Sequence, residues 1–324
     1  MTVVGFHASH EQVHPTALLR AVAQADEAGF TAAMCSDHYL PWSKRQGQSA
    51  FAWSWLGAAL QATTLPFGVV NAPGQRYHPA IIAQASATLA AMYPGRFWVA
   101  LGSGEAINEH ITGGDWPRKE IRNQRLRECV EVMRRLYTGE EVNHHGLVTV
   151  DRARLFTAPE VQPPLIGAAI TVATAAWVAQ WADGLITTNQ PHDHLRAMID
   201  AYRSAGGRGG LHLQVHLSYA ADDEAARAIA YDQWRTNVLP SPVSWDLNTA
   251  ADYDAVGELV SAERVEAAVR VSSDPARHAG WLREYAELGF DEIYLHHVGQ
   301  QQEEFIDVFG AKVLPQLDVT RKPG

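Results

Sequence analysis

A parallel (β/α)8 barrel is the fold class this sequence predicts, and three observations predict it. Short β-type runs alternate with longer helical patterns from one end to the other, and the β-type runs number eight. No glycine-rich dinucleotide turn follows any of them, as the competing open doubly wound sheet would usually show.

The eight runs are residues 3–8, 30–36, 67–71, 97–102, 165–169, 184–188, 211–219 and 291–297. Several are almost continuously apolar, the pattern of strands buried on both faces. Helical periodicity fills stretches such as 15–28, 79–92, 120–137 and 275–288, where Leu126, Val130, Met133 and Leu136 recur at three- and four-residue spacing. Gly29, Gly184 and Gly289 each stand between a helical pattern and a strand, where a left-handed glycine would end the helix and turn the chain into the wall. Two stretches interrupt the rhythm: an extended excursion at 139–164, before the fifth strand, and an aromatic, proline-containing insertion at 237–254, between the seventh and eighth. Loops of that length tend to be lids or binding loops. No composition shift or linker divides the chain, so residues 1–324 are expected to form one domain.

Composition narrows the function classes. The 324 residues are 47% hydrophobic with a net charge of -10, which suits a packed enzyme-sized domain and argues against a nucleic-acid partner. No apolar run is long enough to span a membrane and no signal-peptide pattern opens the chain, so a cytoplasmic location is expected. Cys35 and Cys129 are far apart and read as small core residues. Trp53 and Trp55 read as packing aromatics, and Asp222, Asp223 and Glu224 as a helix start.

In such a barrel ligands bind at the C-terminal strand ends. Those ends carry His7 and Glu11, Asp37 and His38, Asn71, Gly102 through Glu105, Ala168 and Ala169, Thr188, and finally His296 and His297. An imidazole and a carboxylate at neighbouring ends can form an acid/base pair. The stretch Gly102-Ser103-Gly104 is not a dinucleotide fingerprint, because Ile107 stands where a third glycine would fall. It reads as a tight turn that lets backbone approach a ligand. Fifteen histidines raise a metal hypothesis, but there is no HExxH. The adjacent pairs His144-His145 and His296-His297 point to opposite faces of a strand, so no metal is expected.

At these residues the sequence resembles the F420-dependent glucose-6-phosphate dehydrogenase group of the luciferase-like flavin and F420 oxidoreductases, over essentially the whole chain. The resemblance is carried jointly by Ala8-Ser9-His10-Glu11-Gln12, Ser36-Asp37-His38 with Pro41-Trp42, Arg76-Tyr77-His78-Pro79-Ala80, and Gly102-Ser103-Gly104-Glu105-Ala106 with Asn108-Glu109. It implies a luciferase-like TIM barrel and a homodimer. It also implies His38 as catalytic acid/base, Trp42 stacked beside the reacting centre, and Glu105 as partner acid. Glu11 and Asn108 would lie on the substrate side. Asp37, Ser103 and Gly104 would contact the cofactor, together with Asn71, Ala72, Ala168, Ala169, Thr171 and Thr188.

The departures redirect the expectation. Where the group's phosphate cage has two lysines and an arginine, this chain has Pro191, Ala255 and Ala268, with Arg270 two residues from the last. Loss of those cations removes the strong hydrogen bonds that hold a phosphate, so glucose 6-phosphate is not expected as substrate. Ala72, Ala168 and Ala169 likewise replace residues expected to receive the cofactor phosphate, which favours FMN over F420. Three functions remain open: hydride transfer between the cofactor and a small organic substrate; a two-component FMN monooxygenase served by a flavin reductase and using dioxygen; and a non-catalytic flavin-binding protein.

Overall fold

The computed structural model describes residues 2–317. Its eight wall strands are β1 (Val3–Ala8), β2 (Ala32–Ser36), β3 (Phe67–Asn71), β4 (Phe97–Leu101), β7 (Leu165–Ala168), β8 (Gly184–Thr188), β9 (Gly210–Ser218) and β11 (Glu292–His297). They pair in parallel in that order, and β11 returns to β1, so the barrel is closed. The intervening β5 (Val142–His145) and β6 (Thr149–Ala153) form an antiparallel hairpin within the expected excursion, and β10 (Arg270–Val271) adds two residues beside the end of β9. No helix among the described residues is long and apolar enough to cross a membrane.

Alternation along each strand sorts its side chains. Val4, Phe6 and Ala8 of β1 join the large core between wall and helices, whereas Val3 belongs to a separate cluster inside the barrel with Met34, Trp98, Ile166 and Tyr294. That plug fills the N-terminal half of the barrel, and it forces glycine at two facing positions. A Cβ at Gly68 would overlap the Trp98 ring, and one at Gly5 the Tyr294 ring. Above the plug the next inward layer divides in two. Val70, Ala72, Gly102, Ala168 and Ile186 make a small, apolar side on β3 to β8, while His7, Gln214, His216 and His296 make a polar side on β1, β9 and β11.

The helices begin and end as their sequences require. Helix Pro15–Glu27 and helix Pro275–Glu287 are followed by Gly29 and Gly289, with φ of 98° and 99°, in the left-handed region glycine accepts. Gly184 departs from that expectation. It is the first residue of β8 with no positive φ, and a Cβ there would lie 2.8 Å from the Gly210 carbonyl oxygen. Close strand approach, not helix termination, requires it. Asp222 caps helix Asp223–Trp234 by accepting from the Ala225 amide at 2.8 Å. Cys35 and Cys129 are buried and free.

Candidate active site

The C-terminal end of the barrel holds a cavity of about 380 Å³. Because β2 ends at Ser36, the next two residues pass over the rim, and His38 reaches the turn that follows β1. There His38 Nδ1 stands 2.5 Å from Glu11 Oε1, while Glu11 Oε2 accepts from Ser9 Oγ at 2.8 Å. Burial alone would raise the Glu11 carboxyl, but the imidazole charge and hydrogen bond outweigh it and hold the group down at about 2. Burial likewise works against protonated His38. The Glu11 charge and hydrogen bond, helped by Glu105, prevail and lift the imidazole above its ordinary value. With Nδ1 held by the carboxylate, Nε2 is the nitrogen left for a ligand. Trp42 stands edge-on to the His38 ring at 5.0 Å between centroids and meets Tyr253 of the insertion at 5.2 Å.

Asp37 has a different position from its neighbour. Its Oδ2 accepts from Asn71 Nδ2 at 2.8 Å and Trp53 Nε1 at 3.2 Å, and Arg76 Nη2 lies 3.5 Å away. Arg76 Nη2 also donates to the Asp37 carbonyl at 2.7 Å, and its own amide donates to Glu109 Oε2 at 2.6 Å. This buried hub ties the exits of β2 and β3 together. Asn108 serves the same loop, its Oδ1 accepting from the Tyr39 amide at 2.8 Å.

Across the cavity, the glycine turn after β4 presents Ser103 and Glu105. Burial pushes the Glu105 carboxyl up to about 7, against the attraction of His38 and Lys119. Lys119 Nζ donates to Ser103 Oγ at 2.8 Å and lies 4.8 Å from the centre of the Trp245 ring. Burial and the nearby Arg122 lower this ammonium to about 8. Trp116 Nε1 donates to Asp246 Oδ1 at 3.0 Å, so two contacts latch the insertion over the β4 turn.

The cavity wall brings together His38, Glu105, Trp42, Asp37, Asn71, Ala72, Ser103, Gly104, Ala168, Ala169, Thr188, Glu11 and Asn108. Thr171 is the exception. Its hydroxyl accepts from the Thr174 amide at 3.2 Å as the cap of helix Val172–Val178, and Thr174 takes its place on the wall. Arg76, which the sequence showed only as part of a matching segment, lines the cavity, as do Lys119, Gln214 and His216, which were not singled out from sequence. The last two were legible as inward positions, because His212, Gln214 and His216 alternate along β9. Pro191, Ala255, Ala268 and Arg270 are absent from the wall; Arg270 Nε instead donates to Tyr285 OH at 2.9 Å.

The small, apolar side suits a flat tricyclic ring. Above it Asn71 Oδ1 is buried without a partner among the described residues and, with the Asp37 carboxylate, lies on the cavity wall, as acceptors for ring or tail donors would be. The cavity therefore fits a flavin-like cofactor, with Asp37 and Asn71 as the groups that would hold its polar edge.

A closed parallel barrel with an imidazole–carboxylate pair beside a ligand cavity at its C-terminal mouth has the build of a barrel enzyme that moves protons. The chain belongs to the luciferase-like monooxygenase family, whose model matches residues 1–292, and it is an enzyme of the oxidoreductase class. It is 34% identical to an F420-dependent glucose-6-phosphate dehydrogenase of Intrasporangium calvum, over 98% of this chain and 99% of the relative. Among solved structures it is similar to an F420-dependent secondary alcohol dehydrogenase in complex with an F420–acetone adduct. That match has a TM-score of 0.91 and 29% identity, covering 98% of this chain and all (100%) of the other. The F420-dependent tetrahydromethanopterin reductase of Methanopyrus kandleri shares the fold, with a TM-score of 0.76, 20% identity and coverage of 97% and 99%.

Proposed function

We propose that this chain is an F420-dependent alcohol oxidoreductase that interconverts a small secondary alcohol and its ketone. The observation that carries the reading is the His38–Glu11 pair, with His38 Nδ1 2.5 Å from the carboxylate and Nε2 left for a substrate oxygen. The similarity to named F420-dependent enzymes supports F420 over the FMN that the altered phosphate-binding positions favoured.

When bound, a deazaflavin accepts or returns a hydride at the carbinol carbon. Asp37 and Asn71 would hold its polar edge, and the small side of the barrel would seat its ring. His38 Nε2 takes the hydroxyl proton as the carbonyl forms, and Glu11 stabilises the resulting imidazolium. In the reverse direction the same nitrogen returns that proton. Glu105, protonated in part at neutral pH, limits the negative charge facing the ring site. Trp42 and Tyr253 wall the reacting face against water.

Glucose 6-phosphate is not part of this proposal, because Pro191, Ala255, Ala268 and Arg270 place no cation on the cavity wall. The test is to incubate the purified protein with F420 and, separately, FMN. Absorbance then follows cofactor reduction by 2-propanol and by glucose 6-phosphate. The reading expects bleaching of F420 by the alcohol alone. Saturable reduction by the sugar phosphate, or turnover with FMN only, overturns it.

A further inference from the structure

We infer that the polar side of the cavity, built on β1, β9 and β11, is a subsite for a second, uncharged hydroxyl group of the substrate, so that the preferred alcohols are neutral diols or polyols. The inference deepens the proposed alcohol chemistry and rests on it.

The backbone carbonyl of Val298 can only accept. Gln12 Nε2 donates to it, so Gln12 Oε1 is the oxygen facing His296 Nε2, at 2.8 Å. His296 must then carry its proton on Nε2, which leaves Nδ1 bare. Gln214 Nε2 lies 3.0 Å from that bare nitrogen and 3.2 Å from His216 Nε2. The amide therefore donates once to each imidazole, and His216 carries its own proton on Nδ1. Every tautomer in the chain is set by the one before it.

What remains unengaged is the recognition surface. Gln214 Oε1 is an acceptor, and His216 Nδ1 is a donor; neither has a partner among the described residues. His7 Nδ1 is likewise buried without a partner among the described residues, on a side chain that stacks on His296 at 4.3 Å. All three residues are on the cavity wall. A hydroxyl both donates and accepts, and so satisfies such a pair where an apolar group would leave it unpaired.

The charge of the ligand group follows from the surroundings. Burial pushes His7 and His216 down to about 3 and holds His296 well below the ordinary imidazole value, so this side carries no positive charge at neutral pH. Lys119 cannot supply it. Its partner Ser103 follows β4, four strands from β11 in either direction around the eight-stranded wall. A carboxylate or phosphate here would be desolvated without a counter-charge. Trp234 closes the side, 4.7 Å from both His216 and His296. Glu11 and His38 lie close enough for their charges to act on His7, which places the subsite beside the acid/base pair.

The test compares, with the F420-loaded enzyme, secondary alkanols and neutral diols of equal carbon number whose second hydroxyl lies one to three carbons further along, together with the matching 2-hydroxy acids. The inference expects kcat/KM for the best diol to exceed that of its alkanol by about tenfold or more, and the hydroxy acid to be the poorest of the three. Gln214→Leu should reduce the diol-to-alkanol ratio towards unity. Diol binding should also change tryptophan fluorescence in the wild type, and that change should disappear in Trp234→Phe. Alkanol turnover with no diol preference means that the subsite holds ordered water only, and it overturns the inference while leaving the alcohol chemistry intact. No turnover of any alcohol overturns the proposed function, and the subsite assignment with it.

Discussion

Glu11, not Glu105, is the carboxylate in contact with His38, at 2.5 Å from Nδ1. Glu105 acts on the same imidazole from across the cavity through charge alone. The two carboxyls are held in opposite directions, Glu11 at about 2 and Glu105 at about 7. Under the proposed function one holds the base, and the other is partly protonated near neutral pH.

His38→Ala should lower kcat for alcohol oxidation by about 100- to 10,000-fold, the usual worth of a positioned acid/base. F420 affinity, measured by fluorescence titration, should stay within a few fold. A parallel loss of both would assign His38 to cofactor binding.

Glu11→Gln tests how the base is tuned. Oxidation requires neutral His38, so kcat/KM should fall as pH drops through a His38 pKa lying above the ordinary imidazole value. Removing the Glu11 charge lets burial lower that pKa, and the acid limb of the profile should move to lower pH. An unmoved limb would show that another group titrates there.

Glu105→Gln makes a stability prediction with a definite sign. The carboxyl titrates at 4.5 when unfolded and at about 7 when folded, so the native state resists its ionisation. The contribution to stability is fully present below pH 4.5, is lost as pH rises to 7, and stays lost above. The variant should melt higher than wild type at pH 8, on the order of 2 to 5 °C, with no gain at pH 4. Thermal unfolding of cofactor-free protein at the two pH values measures this.

Asp246→Ala removes the hydrogen bond from Trp116 that latches the insertion. We expect KM to rise by roughly 3- to 10-fold with a smaller change in kcat, because closure positions the substrate more than it alters the acid/base pair. Limited proteolysis should cut faster within 239–249.

Gly68→Ala forces a Cβ into the Trp98 ring in the plug beneath the cavity. Overpacking of this kind costs about 1–3 kcal/mol, which denaturant unfolding would read directly. A neutral result would mean that Trp98 has room to move.

The fold was legible because strands enclosed on both faces leave near-continuous apolar runs. All eight wall strands lie where those runs are, with ends differing by at most two residues: β2 begins at Ala32, not residue 30. The site was legible where adjacent residues share a strand exit, as Asp37 and His38 do. Glu11 was visible as a rim residue, but its direct grip on His38 was not, since the 26 intervening residues hide how the first turn folds back. Lys119 was hidden for a similar reason. It opens a helix well past the glycine turn, and only the path of the loop returns it to Ser103. Gly184 was misplaced because a strand glycine resembles a helix-ending glycine when read one residue at a time, and the helix-capping hydrogen bond of Thr171 was not legible.

Asp37 and His38 divide two duties between neighbouring positions. The first is clasped by Asn71, Trp53 and Arg76 and anchors the loop, while the second has its ring held at Nδ1 by Glu11 and met edge-on by Trp42. Anchorage and reactivity are thus separately mutable. Under the proposed function, exchange of residue 38 or residue 11 would alter the proton chemistry while the clasp at 37 keeps the mouth of the barrel in shape.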